Sequence, residues 1–389
     1  MKKILFSLVL IFGIAFAQTG VTDTEIRIGT WGPQSGPAAA WGTVMTAMDA
    51  YFQYINDNGG VNGRNLVLVS RDDGYDPARA VSAVRELIDR EKVFALVGGI
   101  GTANGLAVLP FVKRNKIPWV SPSTGSGAFA KQSDGLIYAS YTNYGIESAL
   151  MTRHAINELG NKKIAVFYQN DGYGKEGLEG VRSEVAKLVA QGSDAVVVSE
   201  ISYERGETNM GVQALRLSTS GADALVMYST PTAAASLLNE IQNLDYHPRI
   251  LATSALLDPS LLANPGMQGA LLAAFFKLPS VVVGEGNGDP VADDIYVNVV
   301  AKYAPEAAKD PFRSLAGIAF AQPLVEALKA AGPDLTRESL LEALNNLSGY
   351  DTGLFANIDF TNGYQGNNSI RLLQMTPKGL RIASDFISY

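Results

Sequence analysis

The chain has 389 residues, 47% hydrophobic and 18% charged, which is enough for two globular domains with sizeable cores and excludes disorder and fibrous repeats. It has no cysteine and two histidines, His154 and His247, so disulfides, thiolate metal sites, a cysteine nucleophile, a lipidated N-terminal cysteine and multi-imidazole sites drop out. The formal net charge is −7, and taking Lys2 and Lys3 off with the leader described next leaves 29 basic against 38 acidic residues, a balance that repels nucleic acid and anionic lipid.

Lys2 and Lys3 precede an apolar run, Ile4 to Phe16, and Ala15-Phe16-Ala17 has the small-x-small pattern of a cleavage site. Residues 1–17 therefore read as a signal peptide, with a mature chain starting at Gln18 and exported. The run is too short to span a bilayer, and no later stretch offers the roughly 18–20 uncharged apolar residues a span needs.

From Glu25 onward, short β-branched runs alternate with amphipathic helical patterns, the signature of βαβ units in a mainly parallel sheet. Strands are expected at 26–29, 66–69, 93–97 and 118–121. Asp76 and Pro77 form a cap-plus-proline start to a helix whose stripe is Val81, Val84, Leu87 and Ile88. A second series begins near Thr142, with strands at 164–168, 195–198 and 224–228 and a helix carrying Leu178, Val181, Val185 and Leu188. Long helices follow at 294–303 and 314–331, and strand-like pieces at 370–374 and 380–387 end the chain. Two α/β halves without a flexible linker suggest lobes that exchange strands.

Open parallel sheets bind ligands at the carboxyl ends of their strands. At the junction Gly98 to Gly105, Thr102 opens a helix whose amides, with the Thr102 hydroxyl, suit a carboxylate or phosphate; the bland alternative is that Thr102 only caps that helix. Gly99-x-Gly101 has Asn104 where a dinucleotide fingerprint needs glycine, and there is no P-loop and no Gly-x-Ser-x-Gly elbow. His154 falls in a helical pattern and His247 beside Pro248; both read as structural or solvent-facing. Asp72-Asp73 reads as a turn element, since neighbours on a strand point to opposite faces. Ser121 to Ser126 offers hydroxyls and backbone to a polar group, or is an ordinary turn. Trp41 and Tyr173 each stand in a Gly-rich junction, one in each half, as pocket-wall aromatics. Thr230-Pro231 repeats the cap-plus-proline start.

At these junctions the sequence resembles the type I periplasmic solute-binding proteins of ABC importers, the group that includes leucine/isoleucine/valine binders. The resemblance rests on Gly36-Pro37 through Trp41-Gly42, Asn58 to Arg64, Asp72-Asp73 with Pro77, Gly98 to Gly105, Ile117-Pro118 through Thr124, and Tyr173 to Gly177. It implies two α/β lobes, each a mainly parallel sheet flanked by helices, joined by a multi-crossover hinge: residues 22–141 and 278–368 in lobe 1, 142–277 and 369–389 in lobe 2. It implies a soluble, monomeric periplasmic protein that performs no chemistry, needs no cofactor or metal, and delivers a small solute to permease subunits in the membrane. Carried over by position, Thr102 receives a ligand carboxylate, Ser123, Thr124 and Gly125 lie beside it, Trp41 and Tyr173 form aromatic walls, and Thr230 and Ser254 are second-lobe pocket positions. Amino-acid binders of this group place an acid near Ser254, whereas Leu251 to Leu256 has none. A branched-chain or other apolar amino acid leads as ligand, with an aromatic or aliphatic acid, or an amide, as alternative. The rivals from other classes are a secreted α/β hydrolase, which lacks a nucleophile motif here, and a receptor sensor domain.

Overall fold

The computed structural model describes residues 18–36, 38–351 and 353–389; the signal peptide expected at 1–17, and Pro37 of the first junction, lie outside the described residues. The first sheet holds β1 (Glu25–Gly32), β2 (Asn65–Asp72), β3 (Ala95–Val97), β4 (Trp119–Val120) and β5 (Ile137–Tyr138), all parallel, in the order β2-β1-β3-β4-β5. The last five residues of β1 are all buried, as expected of a strand covered on both faces. Its covering helices are α1 (Gly42–Asp57), α2 (Pro77–Asp89), α3 (Thr102–Arg114) and the short α4 (Ala128–Lys131). The expected cap is present at α2, where Asp76 accepts the Arg79 amide at 2.9 Å and Pro77 fills the first position. The third strand was expected from Val93 but is shorter, because the Val93 and Phe94 carbonyls accept the Arg337 guanidinium at 3.1 and 2.8 Å.

The second sheet holds parallel β6 (Lys163–Gln169), β7 (Val196–Tyr203), β8 (Ala224–Tyr228), β9 (Arg249–Ala252) and β10 (Leu271–Ala274), then antiparallel β11 (Ser369–Thr376) and β12 (Gly379–Ile382). The order is β12-β11-β10-β9-β8-β6-β7, and β13 (Ile387–Ser388) pairs with β11. Around this sheet lie α5 (Tyr144–Asn157), α6 (Gly172–Ala190), α7 (Gly211–Ser218), α8 (Pro231–Asn243) and α9 (Pro259–Leu262).

The helix expected at 294–303 extends back to α11 (Pro290–Ile295), which follows the short α10 (Ser280–Val283) and runs through a widened turn at Tyr296–Val300 into α12 (Ala301–Tyr303). Two more helices follow, α13 (Pro311–Ala331) and α14 (Arg337–Asn345). The helix α13 lies against α1 so closely that a Cβ at Gly317 would stand 2.1 Å from the Val44 carbonyl oxygen, which is why glycine serves there.

The chain therefore passes between the two sheets three times: after β5, after β10 and before β11. The three crossings are stitched side by side. Asn367 donates to the Thr142 hydroxyl at 3.1 Å and the Phe275 carbonyl at 3.3 Å, and Thr142 donates to the Ser369 carbonyl at 2.7 Å.

Candidate ligand-binding site

A cavity of about 630 Å³ opens between the carboxyl ends of the two sheets. Trp41, Thr102 and Ser123 reach it from the first sheet's junctions, and Tyr173, Thr230 and Ser254 from the second's. The structure thus brings six of the eight sequence-expected residues to one cavity. The other two stand behind it: Thr124 Oγ1 pairs with Thr102 Oγ1 at 2.7 Å, and the Gly125 carbonyl accepts the Tyr144 amide at 2.8 Å. Gly125 has a packing reason to be glycine, since a Cβ there would meet the Thr142 carbonyl at 2.4 Å.

Thr102 is not a helix cap. The cap position of α3 is Gly101, at φ +100°, with no side chain capping the helix, and Thr102 is the first helical residue. Glycine is required there twice over, by the positive φ and by the Tyr75 ring, which a Cβ would approach to 2.7 Å. The amide end of a 13-residue helix, with its partial positive charge, is left without a side-chain cap at the cavity. Beside it the buried Ser123 hydroxyl has no partner.

The aspartate pair at the end of β2 is structural, as read from the sequence. Asp72 accepts the amides of Gln34 and Gly74, both at 2.9 Å, and Asp73 accepts the Tyr75 amide at 2.8 Å and Asn104 Nδ2 at 2.7 Å. His154 lies within α5, and exposed His247 bonds Asp245 at 2.9 Å.

The sequence reading missed most of the aromatic wall: Tyr75, Tyr141, Tyr144, Phe275, Phe276 and Phe320. Tyr141 stacks on Phe275 with centroids 4.0 Å apart, and Tyr144 meets Tyr173 edge-on at 4.9 Å. It also missed Glu147, a fully buried carboxylate behind Ser254. Four donors surround it: the Ser254 hydroxyl and amide at 2.5 and 3.0 Å, Thr253 at 2.7 Å and Tyr228 at 2.8 Å. Burial pushes this carboxyl above its ordinary range even against the four hydrogen bonds. Because the Ser254 proton goes to Glu147, the Ser254 oxygen faces the cavity side as an acceptor, and the Tyr141 hydroxyl at 2.8 Å fills it.

Two arginines join the halves across the mouth. Arg205, between β7 and α7, donates to the Tyr75 carbonyl at 2.8 Å and Asn104 Oδ1 at 3.3 Å on the first-sheet side, and to Asp171 at 3.1 Å on its own. Its guanidinium lies 4.5 Å over the Tyr75 ring. Arg313, in the first turn of α13, bonds Asp310 and, at 2.6 Å, Asp258 of the β9 junction, with its guanidinium 4.9 Å over Trp41. Burial raises the Asp258 carboxyl, but the Ser260 hydroxyl and Arg313 outweigh it and hold the group below its ordinary range. A third tie is the Gly127 amide donating to Glu176 at 2.6 Å. These three ties link the junctions of the two sheets around the cavity.

A family model described as periplasmic binding protein matches residues 25–380. The chain belongs to that family. An amino acid binding protein of Pseudomonas aeruginosa is 22% identical over 246 residues, 62% of this chain and 64% of that one. The chain spans 59%, 60% and 64% of the lengths of the Brucella melitensis, Halobacterium salinarum and Pseudomonas relatives it matches. Among solved structures, a substrate-binding periplasmic protein from Ralstonia solanacearum superposes with a TM-score of 0.81 at 27% identity, covering 92% of this chain and 99% of that one. A fatty acid ABC transporter substrate-binding protein from Thermomonospora curvata gives 0.82 at 24% identity, covering 96% and 94%. Two mostly parallel sheets with helices on their faces are the fold this chain shares with these substrate-binding proteins.

Proposed function

We propose that this protein is the solute-capturing subunit of an ABC importer. It closes its lobes over a small solute with a carboxylate head and an apolar body, and hands that solute to permease subunits in the membrane. The observation that carries the reading is the uncapped amino end of α3 at the cavity, with Thr102 and the unpartnered Ser123 hydroxyl beside it and aromatic rings around the rest. Amides at a helix start favour an anion, and rings favour an apolar remainder. The names of the similar proteins agree in one chemical point, since an amino acid and a fatty acid both carry a carboxylate. The protein acts as a monomer in the periplasm after its signal peptide is removed, and no bond of the solute is made or broken.

Mass spectrometry of solutes released from protein purified without refolding tests this directly. A carboxylic acid retained in stoichiometric amount supports the reading, and a retained sugar or cation refutes it. X-ray scattering adds a check on closure, since stripped protein should show a larger radius of gyration than protein saturated with that solute.

A further inference from the structure

An acid bound at the α3 end of the cavity can carry an ammonium on the neighbouring carbon, as an amino acid does, or lack one. We infer that this cavity selects against the ammonium and takes a bulky alkyl or aryl carboxylate in place of an amino acid; the inference rests on the carboxylate reading above. A buried ammonium needs a carboxylate or several oriented acceptors, because desolvating a charge takes more than neutral contacts return.

Every buried or half-buried carboxylate near the wall is already engaged. Asp258, on the wall, gives one oxygen to the Ser260 amide and hydroxyl and the Leu261 amide, at 2.9, 2.5 and 3.0 Å, and the other to Arg313. Asp171 accepts the Tyr173 and Gly174 amides on one oxygen and Gln169 and Arg205 on the other. Glu207 accepts the Glu204 amide and Gln213 at 2.8 Å each, and Asp76 caps α2 in an exposed position. Glu147, buried behind Ser254, is closed off by its four donors.

What the wall leaves unpartnered is not a carboxylate. The buried side-chain atoms without a partner there are the Ser123 and Ser229 hydroxyls and Arg313 Nε, none of them negatively charged, and the Arg313 charge is already matched by Asp258 and Asp310. Two of the wall's ring faces, Trp41 and Tyr75, already carry guanidinium groups. Size points the same way. At about 630 Å³ the cavity falls within the roughly 300–1,000 Å³ of sites for drug-sized ligands. A leucine would leave much of it to water.

The test is a set of matched pairs titrated calorimetrically into protein stripped of bound solute: leucine against 4-methylpentanoate, and phenylalanine against 3-phenylpropanoate. 3-Phenylpropanol serves as a carboxylate-free control. The acids without the ammonium should bind at least ten-fold tighter than their amino acids, with the alcohol far weaker. An amino acid equal to or tighter than its partner, with the alcohol still weak, overturns this inference while leaving the carboxylate reading intact. An alcohol that matches the acid, or no binding by any probe at millimolar concentration, overturns both.

Discussion

Arg205 is where closure can be weakened while Thr102 and Ser123 keep their side chains. In Arg205→Ala the closed form loses two hydrogen bonds from a cation, to the Tyr75 carbonyl and Asn104, and the stacking on Tyr75. Hydrogen bonds involving a charged group contribute about 1.5–3 kcal/mol and a partly exposed stacked cation about 0.5–1 kcal/mol. The full sum does not apply, because the side chain keeps 29% of its exposure and its bond to Asp171 can persist when the lobes part. A net loss of about 1.5–2 kcal/mol for the closed form is reasonable. If capture requires closure, that loss appears in the dissociation constant as about a 10- to 30-fold weakening. Calorimetry of the captured solute with wild type, Arg205→Ala and Arg205→Lys reads it, with the lysine variant intermediate because it keeps the charge and loses the planar fork. Scattering on the same samples should show the alanine variant more open at partial saturation. Affinity of Arg205→Ala within two-fold of wild type would refute the view that this arginine holds the lobes together.

Thr102→Val keeps the shape and removes the hydroxyl, so solute affinity should fall by about 1.5–3 kcal/mol, more than stability falls through the lost bond to Thr124; equal affinity by calorimetry would move the carboxylate elsewhere. Gly180→Ala places a Cβ 2.0 Å from the Ser148 hydroxyl and 2.4 Å from the Gly145 carbonyl where α5 meets α6, and should cost about 1–3 kcal/mol in urea unfolding, whereas an unchanged midpoint would show that the helices separate freely. The Asp258 carboxyl is held below its ordinary range in the folded state, so its contribution is present above the unfolded value of about 3.9 and fades as pH falls below it. Asp258→Asn should therefore melt well below wild type near neutral pH, by about 1.5–3 kcal/mol, with the gap narrowing below about pH 4. A gap that stays constant with pH would mean the ion pair to Arg313 is not its source.

The alternation of strands and helices was legible because each element carries its own local signal. Asp76-Pro77 announces α2 and does cap it, and the β-branched runs at 164–168 and 224–228 lie within β6 and β8. Junction residues were legible for the same reason, since Trp41, Thr102, Ser123 and Tyr173 follow strands or open helices. What could not be read is whatever depends on distant pairing. Glu147 lies inside a helical pattern, and nothing local says that Thr253 and Ser254, more than a hundred residues on, converge on it. Tyr141 and Phe275 are ordinary hydrophobic residues until the crossings lay them face to face. One signal was overlooked: Asp258-Pro259 and Asp310-Pro311 repeat the pattern of Asp76-Pro77, and both aspartates cap helices while also holding Arg313.

The placement of α13 against α1 has a consequence for how the molecule is made. The strands of the first sheet are complete by Tyr138, but the helix that covers α1 and packs on β3 and β4 begins only at Pro311. A chain stopped near residue 300 would hold the parallel strands of both sheets and still leave Val44, buried in the finished protein, without that cover. Such non-local closure makes folding slow and leaves sticky intermediates, so shortened chains should aggregate instead of forming a working first half. The same connectivity lets a pull on either end be felt in both lobes, because the last strands complete the sheet opposite the one that holds the first.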